Sequence, residues 1–190
     1  MTKDRGGWDA YVPQMAVNWV AQSPDTGWRS VDGSLVFVDI SGFTSLSERL
    51  ASRGRIGAEE LTGVLDKVFA RMLEIAYVRG GYLLKFGGDA LLLFFDGDDH
   101  VLQACAAVVE MRRALREASK EQTSVGRINL KMSSGVHTGR VDFFLVGDTH
   151  RELVVTGPAA SVTTEMEGAA NAGEIVISDS VAAGLPASFV

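Results

Sequence analysis

Hydrophobic and polar positions in the first half of the chain follow two periods, one typical of strands and one of helices. Positions 34–40 are mostly aliphatic, aromatic and β-branched, which predicts a strand buried on both faces that stops at Ser41-Gly42. A short helix then reaches Ala51, and positions 56–78 carry apolar residues at the i, i+3, i+4 spacing of a longer helix. This helix ends at Gly80-Gly81, and a strand pattern follows.

Two short apolar runs, 82–86 and 90–95, predict a β-hairpin. They flank Gly87-Gly88-Asp89, the composition of a tight turn, so Asp89 is expected at the hairpin tip. The later pattern predicts a helix from Asp98 or Asp99 to about Ala118, two strands within 127–146 joined around His137-Thr138-Gly139, a strand ending near Thr156, a helix from Pro158 to about Ala169, and a closing strand at 174–177 with a short helix after it.

One short helix precedes these elements in the chain. Because strands and helices interleave around two hairpins, the order predicts an α+β fold with one mixed sheet covered by helices. The expected plan is ferredoxin-like, βαββαβ, with additions. Residues 1–33 are expected to form an N-terminal extension with a short helix, and residues 34–190 the main domain, which a longer chain would continue.

Composition excludes several classes of protein. The chain has 190 residues and a formal net charge of −6, and no stretch collects Lys and Arg as a nucleic-acid module would. Its longest apolar runs, 90–95 among them, are far shorter than the roughly 20 residues of a membrane span, and no signal peptide is visible. The one cysteine, Cys105, is expected in the core of a protein from a reducing compartment, the cytoplasm.

Two aspartates interrupt the apolar runs at places where an unpaired carboxylate is costly. Asp39 closes the first strand without a basic sequence neighbour, and Asp89 lies at the hairpin tip. Each alone is also typical of an ordinary turn. If the hairpin lies beside the strand, the carboxylates converge and can hold one or two divalent cations, with Mg²⁺ favoured because it keeps water and phosphate ligands. Positions 40–44 open a helix whose first N–H groups favour anions, so the pattern predicts a triphosphate site.

Three segments carry a resemblance to a known family. VFVDISGFT at 36–44 and LKFGGDAL at 84–91 resemble the two metal motifs of class III adenylyl/guanylyl cyclases, and GDTH at 147–150 resembles the soluble adenylyl cyclase branch. The resemblance covers Leu35 to Ser178 and implies the class III fold, with the site at a head-to-tail dimer interface. The implied reaction is attack of the ribose 3′-hydroxyl of ATP on the α-phosphate, which releases pyrophosphate and forms cAMP.

The resemblance assigns the metal half of the site to this chain. Asp39 and Asp89 match the two metal aspartates, and Ile40 matches the residue whose carbonyl reaches the second metal, which implies two Mg²⁺ or Mn²⁺ ions per complete site. Lys85 matches a lysine that reads the purine edge or, in the soluble branch, lies in a regulatory bicarbonate pocket. The residues expected around the phosphates are Ser41, Gly42, Phe43, Thr44 and Gly88.

The other half of the site departs from the family pattern. Val154 stands where the family selects the purine with Asp or Thr, and its side chain accepts no hydrogen bond from adenine. Ser161 replaces the asparagine that orients the ribose, and Glu165 replaces the arginine that stabilises the pentavalent phosphate. Because a carboxylate repels the developing charge, a homodimer of this chain is expected to be a poor cyclase. Thr164 replaces the arginine of the bicarbonate pocket, which argues against bicarbonate sensing.

Two interpretations of the whole chain stay open. In the first, it resembles the metal-donating domain of the soluble adenylyl cyclase branch and forms a complete site with a second cyclase domain, after Val190 or in another chain. In the second, it is a catalytically inactive nucleotide-binding or dimerisation module that regulates attached domains. A diguanylate cyclase is disfavoured, because Ala90 replaces the acidic residue that follows Gly87-Gly88-Asp89 in that family.

Overall fold

A six-stranded sheet forms the centre of the computed structural model, which describes residues 12–149, 151–187 and 189. Its strands are β1 (Trp28–Ser41), β2 (Gly81–Gly87), β3 (Ala90–Phe95), β6 (Lys131–Val146), β7 (Glu152–Thr156) and β8 (Ile175–Ile177), and a separate ribbon pairs β4 (Gln122–Thr123) with β5 (Gly126–Arg127). The order is β2-β3-β1-β6-β7, with β8 parallel to β6 and the other pairs antiparallel. Since β2-β3-β1-β6 is the ferredoxin-like order, the predicted fold class is confirmed.

The described residues also form six helices, which divide between the two faces of the sheet. They are α1 (Gln14–Gln22), α2 (Phe43–Ala51), α3 (Arg55–Val78), α4 (His100–Ala118), α5 (Pro158–Ala169) and α6 (Asp179–Gly184). The three-helix face is the one covered by α2, α3 and α4 through side chains such as Val36, Val38 and Leu91. The α1 face is the opposite one, where α1 and α5 pack on Leu35 and Phe143. The alternation follows from strand geometry, in which successive side chains point to opposite faces.

The segment 127–146 corrects one prediction. It was expected to form two strands joined around His137-Thr138-Gly139, but β6 is one strand of 16 residues. It pairs with β1 along the whole length of that strand, from Trp28 opposite Phe144 to Ser41 opposite Lys131. Gly139 has no positive φ and forms no turn. β1 itself begins earlier than the predicted start at 34, and this longer partner supplies the continuous backbone pairing.

The sheet curls so that its two outer strands approach each other over the α1 face. Leu84 of β2 and Leu153 of β7 are buried in the same cluster as the residues of α1. At the exposed rim, Lys85 Nζ lies 3.0 Å from Glu152 Oε1. The curl therefore places β2 and β7 on two sides of α1, which packs inside the concave α1 face.

Two expectations from composition can be compared with the structure. Cys105 is buried in α4 with 5% of its surface exposed, and burial raises the pKa of its thiol to about 11, so it is a core residue as predicted. None of the described helices combines the length and the apolar composition needed to cross a bilayer.

Trp19 anchors α1 to the sheet, and its removal tests this attachment. Its side chain is 0% exposed, and the Arg29 guanidinium lies 4.0 Å from the centre of its ring. We expect Trp19→Ala to lower the free energy of unfolding by about 3–5 kcal/mol, because it leaves a cavity under α1. Urea unfolding followed by circular dichroism measures the change.

Two control variants sharpen this test. Trp28→Ala removes an indole that is 58% exposed and is expected to change the free energy of unfolding by about 0.5 kcal/mol or less. Trp19→Phe keeps a ring and removes an indole N–H that has no hydrogen-bond partner among the described residues, so its loss is smaller than that of Trp19→Ala. Equal stabilities of Trp19→Ala and Trp28→Ala would contradict the anchoring role.

Candidate functional site

Asp39 lies on the central strand of the sheet and points to the α1 face. Its neighbours Val38 and Ile40 are buried against the three-helix face, so the carboxylate between them points the other way. Asp39 is directly opposite Ala90 on β3 and Ser133 on β6. A half-buried carboxylate on a central strand has few nearby side chains that could neutralise it. The sequence predicts Asp39 at the end of a buried strand, and β1 continues only to Ser41.

Asp89 is brought beside Asp39 by the β2-β3 hairpin. Gly87 pairs with Ala90, which leaves Gly88 and Asp89 as the two turn residues. Gly88 has φ +77° and Asp89 does not have a positive φ, the pattern of a type II′ turn with glycine in its first position. Because Ala90 also pairs with Asp39, Asp89 is one residue from the register partner of Asp39, so the hairpin lies beside the strand, the condition under which the two carboxylates were expected to converge.

The two aspartates act on each other electrostatically. The pKa of Asp39 is raised above its ordinary value, first by desolvation and then by the negative charges of Asp89 and Glu167. In the described part of the chain, no Lys, Arg or His forms an ion pair with any of these three carboxylates. The site therefore concentrates negative charge that the described residues do not neutralise.

This donor set fits a hard divalent cation that keeps outside ligands. Carboxylates and carbonyls are the oxygen ligands that Mg²⁺ and Mn²⁺ take in proteins. The described residues contain no group of three or more His, Cys, Asp or Glu side chains placed to hold a metal by themselves. Asp39, Asp89 and the Ile40 carbonyl would thus supply part of the coordination, and water or phosphate oxygens the rest.

The N-terminus of α2 lies directly after Asp39 and Ile40. Gly42 is its N-cap with φ +91°, and a side chain there would collide with the backbone carbonyl of Asn129. No side chain caps the helix, and its first turn holds no acidic residue, so its first N–H groups suit an anion.

The predicted phosphate residues divide into two groups around this helix. Gly42, Thr44 and Gly88 are exposed. Phe43 instead packs against the core, and the Ser41 hydroxyl donates to the Lys131 carbonyl at 3.3 Å, so these two would offer a phosphate only their backbones.

Lys85 forms an exposed ion pair with Glu152. Its side chain is 65% exposed, and Glu152 is 57% exposed. An exposed pair of this kind stabilises the fold by at most about 1 kcal/mol, so it opens readily for a ligand. Lys85 is thus available to a nucleotide or to a regulatory anion, with Glu152 as a weak competitor.

Val154 lies in an exposed apolar row that crosses three strands. Trp28 on β1 is opposite Phe144 on β6, and Phe144 is opposite Val154 on β7. The three side chains are 58%, 36% and 38% exposed, and opposite residues on neighbouring strands share a face of the sheet. Val146, two residues after Phe144, extends the row.

Ser161 and Glu165 are both exposed on α5, one turn apart. No described residue forms a salt bridge with Glu165. The side chains of Ser161 and Glu165 therefore face solvent, and substitutions at these positions would not disturb the core.

Comparisons with known proteins now bear on this arrangement. The family described as Adenylate and Guanylate cyclase catalytic domain matches residues 29–189. The chain belongs to this family. It is a class III adenylyl/guanylyl cyclase catalytic domain, and the resemblance predicted from 36–44 and 84–91 is confirmed.

The relatives include both adenylyl and guanylyl cyclases. Adenylate cyclase type 10 of Oryctolagus cuniculus is 27% identical over 175 residues, which are 89% of this cyclase domain and 11% of that protein. An adenylate cyclase of Anabaena cylindrica is 30% identical over 165 residues, which are 82% of this chain and 32% of that protein. The cyclase domain thus spans about a tenth to a third of these curated relatives.

Solved structures give the same fold. The guanylyl cyclase Cya2 has a TM-score of 0.71 at 29% identity, covering 84% of this chain and 80% of that one. The adenylyl cyclase CyaB from P. aeruginosa has a TM-score of 0.70 at 26% identity, covering 84% and 82%. The class III fold predicted for this cyclase domain is confirmed.

Two carboxylates near the candidate site were missed from the sequence. Glu167 acts on Asp39 from α5, and Glu152 holds Lys85 from β7. Both contacts join residues that are far apart in sequence and lie on elements whose relative placement depends on the curl of the sheet. No local motif marks either residue. The GDTH segment offers no further help, because His150 lies outside the described residues.

Proposed function

We propose that this domain supplies the metal half of an adenylyl cyclase site and needs a complementary cyclase domain for full activity. The observation that carries the proposal is that Asp39 and Asp89 lie next to each other beside the uncapped N-terminus of α2. Among the described residues, no basic side chain forms an ion pair with either aspartate. The proposed reaction converts ATP into cAMP and pyrophosphate.

Each part of the site has a role in this proposal. Asp39, Asp89 and the Ile40 carbonyl would hold two Mg²⁺ or Mn²⁺ ions, which when bound stabilise the entering and leaving oxygens. Backbone N–H groups at the start of α2 and at Gly88 would bind the β- and γ-phosphates. The ribose 3′-oxygen forms a bond to the α-phosphorus while the bond to the pyrophosphate oxygen breaks, and the 3′-hydroxyl proton leaves to solvent.

ATP is the proposed substrate because of the relatives. The mammalian and cyanobacterial proteins that match the chain are named adenylate cyclases. Guanylyl cyclases also match, and Val154 offers no hydrogen bond to either purine. The purine would therefore be selected by residues of the complementary domain.

A partner domain is supported by two exposed features. The apolar row of Trp28, Phe144 and Val154 leaves large hydrophobic side chains exposed on β1, β6 and β7. Burial of such a row by another protein is favourable in proportion to the apolar area removed from water. Glu165, at the position of the family's arginine, gives two copies of this chain a defective site and favours a different partner.

A regulatory module without turnover is the second candidate. It is favoured by Ser161 and Glu165, since both residues that the family uses on the ribose and the transition state are absent. This module would keep metal and nucleotide binding through Asp39 and Asp89 and form no product with any partner.

Complementation between two variants of the same chain tests the proposal. The wild-type chain is mixed with a quadruple variant in which Ser161→Asn and Glu165→Arg restore the missing residues, and Asp39→Asn and Asp89→Asn remove the metal ligands. We expect cAMP formation from Mn²⁺-ATP in the mixture at a rate about 10³-fold above either chain alone, because only the mixed dimer brings the metal-binding aspartates together with the restored asparagine and arginine.

The controls separate the two candidates. Mixing the quadruple variant with Asp39→Asn chains is expected to lower the rate of the complementing mixture about 10²-fold or more, since that mixture contains no intact metal site. Co-purification of the two chains through different affinity tags confirms that mixed dimers form. A mixed dimer with no product, together with nucleotide binding by the wild-type chain, would favour the regulatory module.

A further inference from the structure

A third carboxylate stands beside the proposed metal ligands. Glu167 lies on α5, which covers the α1 face above the strands that carry Asp39 and Ser133. We propose that Glu167 is a positioning residue of the metal site, which accepts a hydrogen bond from water bound to the cation held by Asp39 and Asp89. The inference rests on the proposed metal site and adds to it a residue that its motifs do not contain.

A buried serine orients Glu167 toward the site. Ser133 is 6% exposed, and its hydroxyl donates to Glu167 Oε1 at 2.9 Å. Ser133 is also directly opposite Asp39 in the β1-β6 pairing, so their side chains stand next to each other on the same face. Glu167 Oε2 has no hydrogen-bond partner among the described residues and is left for a donor such as a water molecule.

The backbone of α5 is held against the sheet at this point. A side chain on Gly135 of β6 would collide with the Glu167 amide nitrogen and the Thr163 carbonyl, so the helix rests directly on the strand. Thr163 is completely buried there, and its hydroxyl bonds within the helix to the Ala159 carbonyl at 2.7 Å. Glu167 is therefore placed by rigid packing, which is what a positioning residue requires.

The positions of the acidic side chains favour contact of Glu167 with the metal through a water molecule over direct ligation. Glu167 is close enough for its charge to act on Asp39, and no described cation forms an ion pair with either. However, no three acidic side chains in the described part of the chain come near enough to share one metal. Glu167 thus suits an outer position, where carboxylates orient metal-bound water and typically change metal affinity about 10- to 100-fold.

The test compares Mn²⁺ binding with stability in the absence of metal. Mn²⁺ alone is titrated into the full chain and followed by electron paramagnetic resonance, while thermal unfolding is measured in chelator. We expect Glu167→Gln to weaken Mn²⁺ binding about tenfold, although the amide oxygen still accepts from Ser133. In chelator the variant is expected to unfold at the wild-type temperature or above, because it removes one of three neighbouring like charges.

Two further variants are matched to this one. Ser133→Ala keeps the carboxylate but frees its orientation, so its Mn²⁺ affinity should fall by a smaller factor than in Glu167→Gln. Glu117→Gln removes a carboxylate from an exposed ion pair with Lys120 and should leave Mn²⁺ binding unchanged.

The possible outcomes distinguish this inference from the proposed function. Wild-type affinity in Glu167→Gln, with a lower unfolding temperature in chelator, would show a purely structural role and overturn the inference, while loss of binding in Asp39→Asn would still support the metal site. Binding that neither Asp39→Asn nor Glu167→Gln weakens would overturn both.

Discussion

Replacing Ser161 by Asn and Glu165 by Arg is expected to raise cAMP formation by the isolated chain about 10³-fold. By the resemblance to the family, on which this expectation rests, the variant places a ribose donor and a positive charge at the positions that match the family's asparagine and arginine. An arginine supplied from a neighbouring subunit stabilises the negative charge on the oxygens of the reacting phosphate, and this stabilisation contributes a large share of the rate enhancement in phosphoryl transfer. Since the wild-type residue is a carboxylate, the change removes repulsion and adds attraction.

Local structure permits this double substitution. Ser161 and Glu165 are exposed on α5, and no described residue forms a salt bridge with Glu165. Arginine has about the same high helix propensity as the glutamate that it replaces. Asparagine at an exposed helical site lowers the free energy of unfolding by less than about 0.7 kcal/mol. The fold should therefore tolerate both changes, which circular dichroism and thermal unfolding check.

Initial rates with Mn²⁺-ATP measure the gain, and two variants control it. Glu165→Gln removes the repelling charge without adding an arginine, so its gain should be much smaller. Adding Asp39→Asn to the double variant should abolish the gain, because the restored residues then face a site without its metal ligand. A dimeric double variant that is no faster than the wild type would show that these two positions are not what limits the chain.

Asp39→Asn or Asp89→Asn in the metal-donating chain is expected to lower the activity of the complementing mixture about 10²-fold or more. Two cations at such a site supply several kcal/mol of charge stabilisation, and each aspartate is one of few protein ligands to them. An amide keeps the shape of the side chain but loses the charge that attracts the cation. The effect should appear first as a higher Mn²⁺ concentration needed for half-maximal rate.

The aspartate variants also have an expected signature in stability. The pKa of Asp39 is raised by desolvation and by like charges, which means that its ionised form is disfavoured in the folded protein. Asp39→Asn should therefore leave the metal-free fold at least as stable as the wild type, while it removes metal binding. This opposition between stability and function is typical of a binding residue and not of a structural one.

Asp32 gives a matched control on the same strand. It is exposed on β1, and Asp32→Asn makes the same chemical change as Asp39→Asn at a distance from the turn that carries Asp89. We expect Asp32→Asn to change neither the rate nor the Mn²⁺ dependence. A loss of activity equal to that of Asp39→Asn would mean that the overall negative charge of the domain, and not the pair Asp39 and Asp89, supports the reaction.

Much of the fold could be predicted from local patterns. The hairpin at 82–95, the helix that starts at Pro158 and the buried strand before Asp39 each have a clear period and clear terminal residues, and all are present. The prediction failed at His137-Thr138-Gly139, where a local turn signal was overridden by pairing with β1 along 14 residues. Ladder hydrogen bonds to a long partner outweigh the weak turn preference of a single glycine.

The sequence by itself determined the class III family, the α+β fold and the places of Asp39 at a strand end and Asp89 at a hairpin tip, since both are marked by local chemistry. Only the pairing of β3 with β1 decided that the two aspartates lie close together. Only the tertiary structure revealed the contacts of Lys85 with Glu152, 67 residues apart, and of Ser133 with Glu167, 34 residues apart. The physical reason is that periodicity reports which face of an element is buried. Contacts between polar side chains of distant elements depend on the curl of the sheet and on the position of α5 against it. The packing of the whole core decides both.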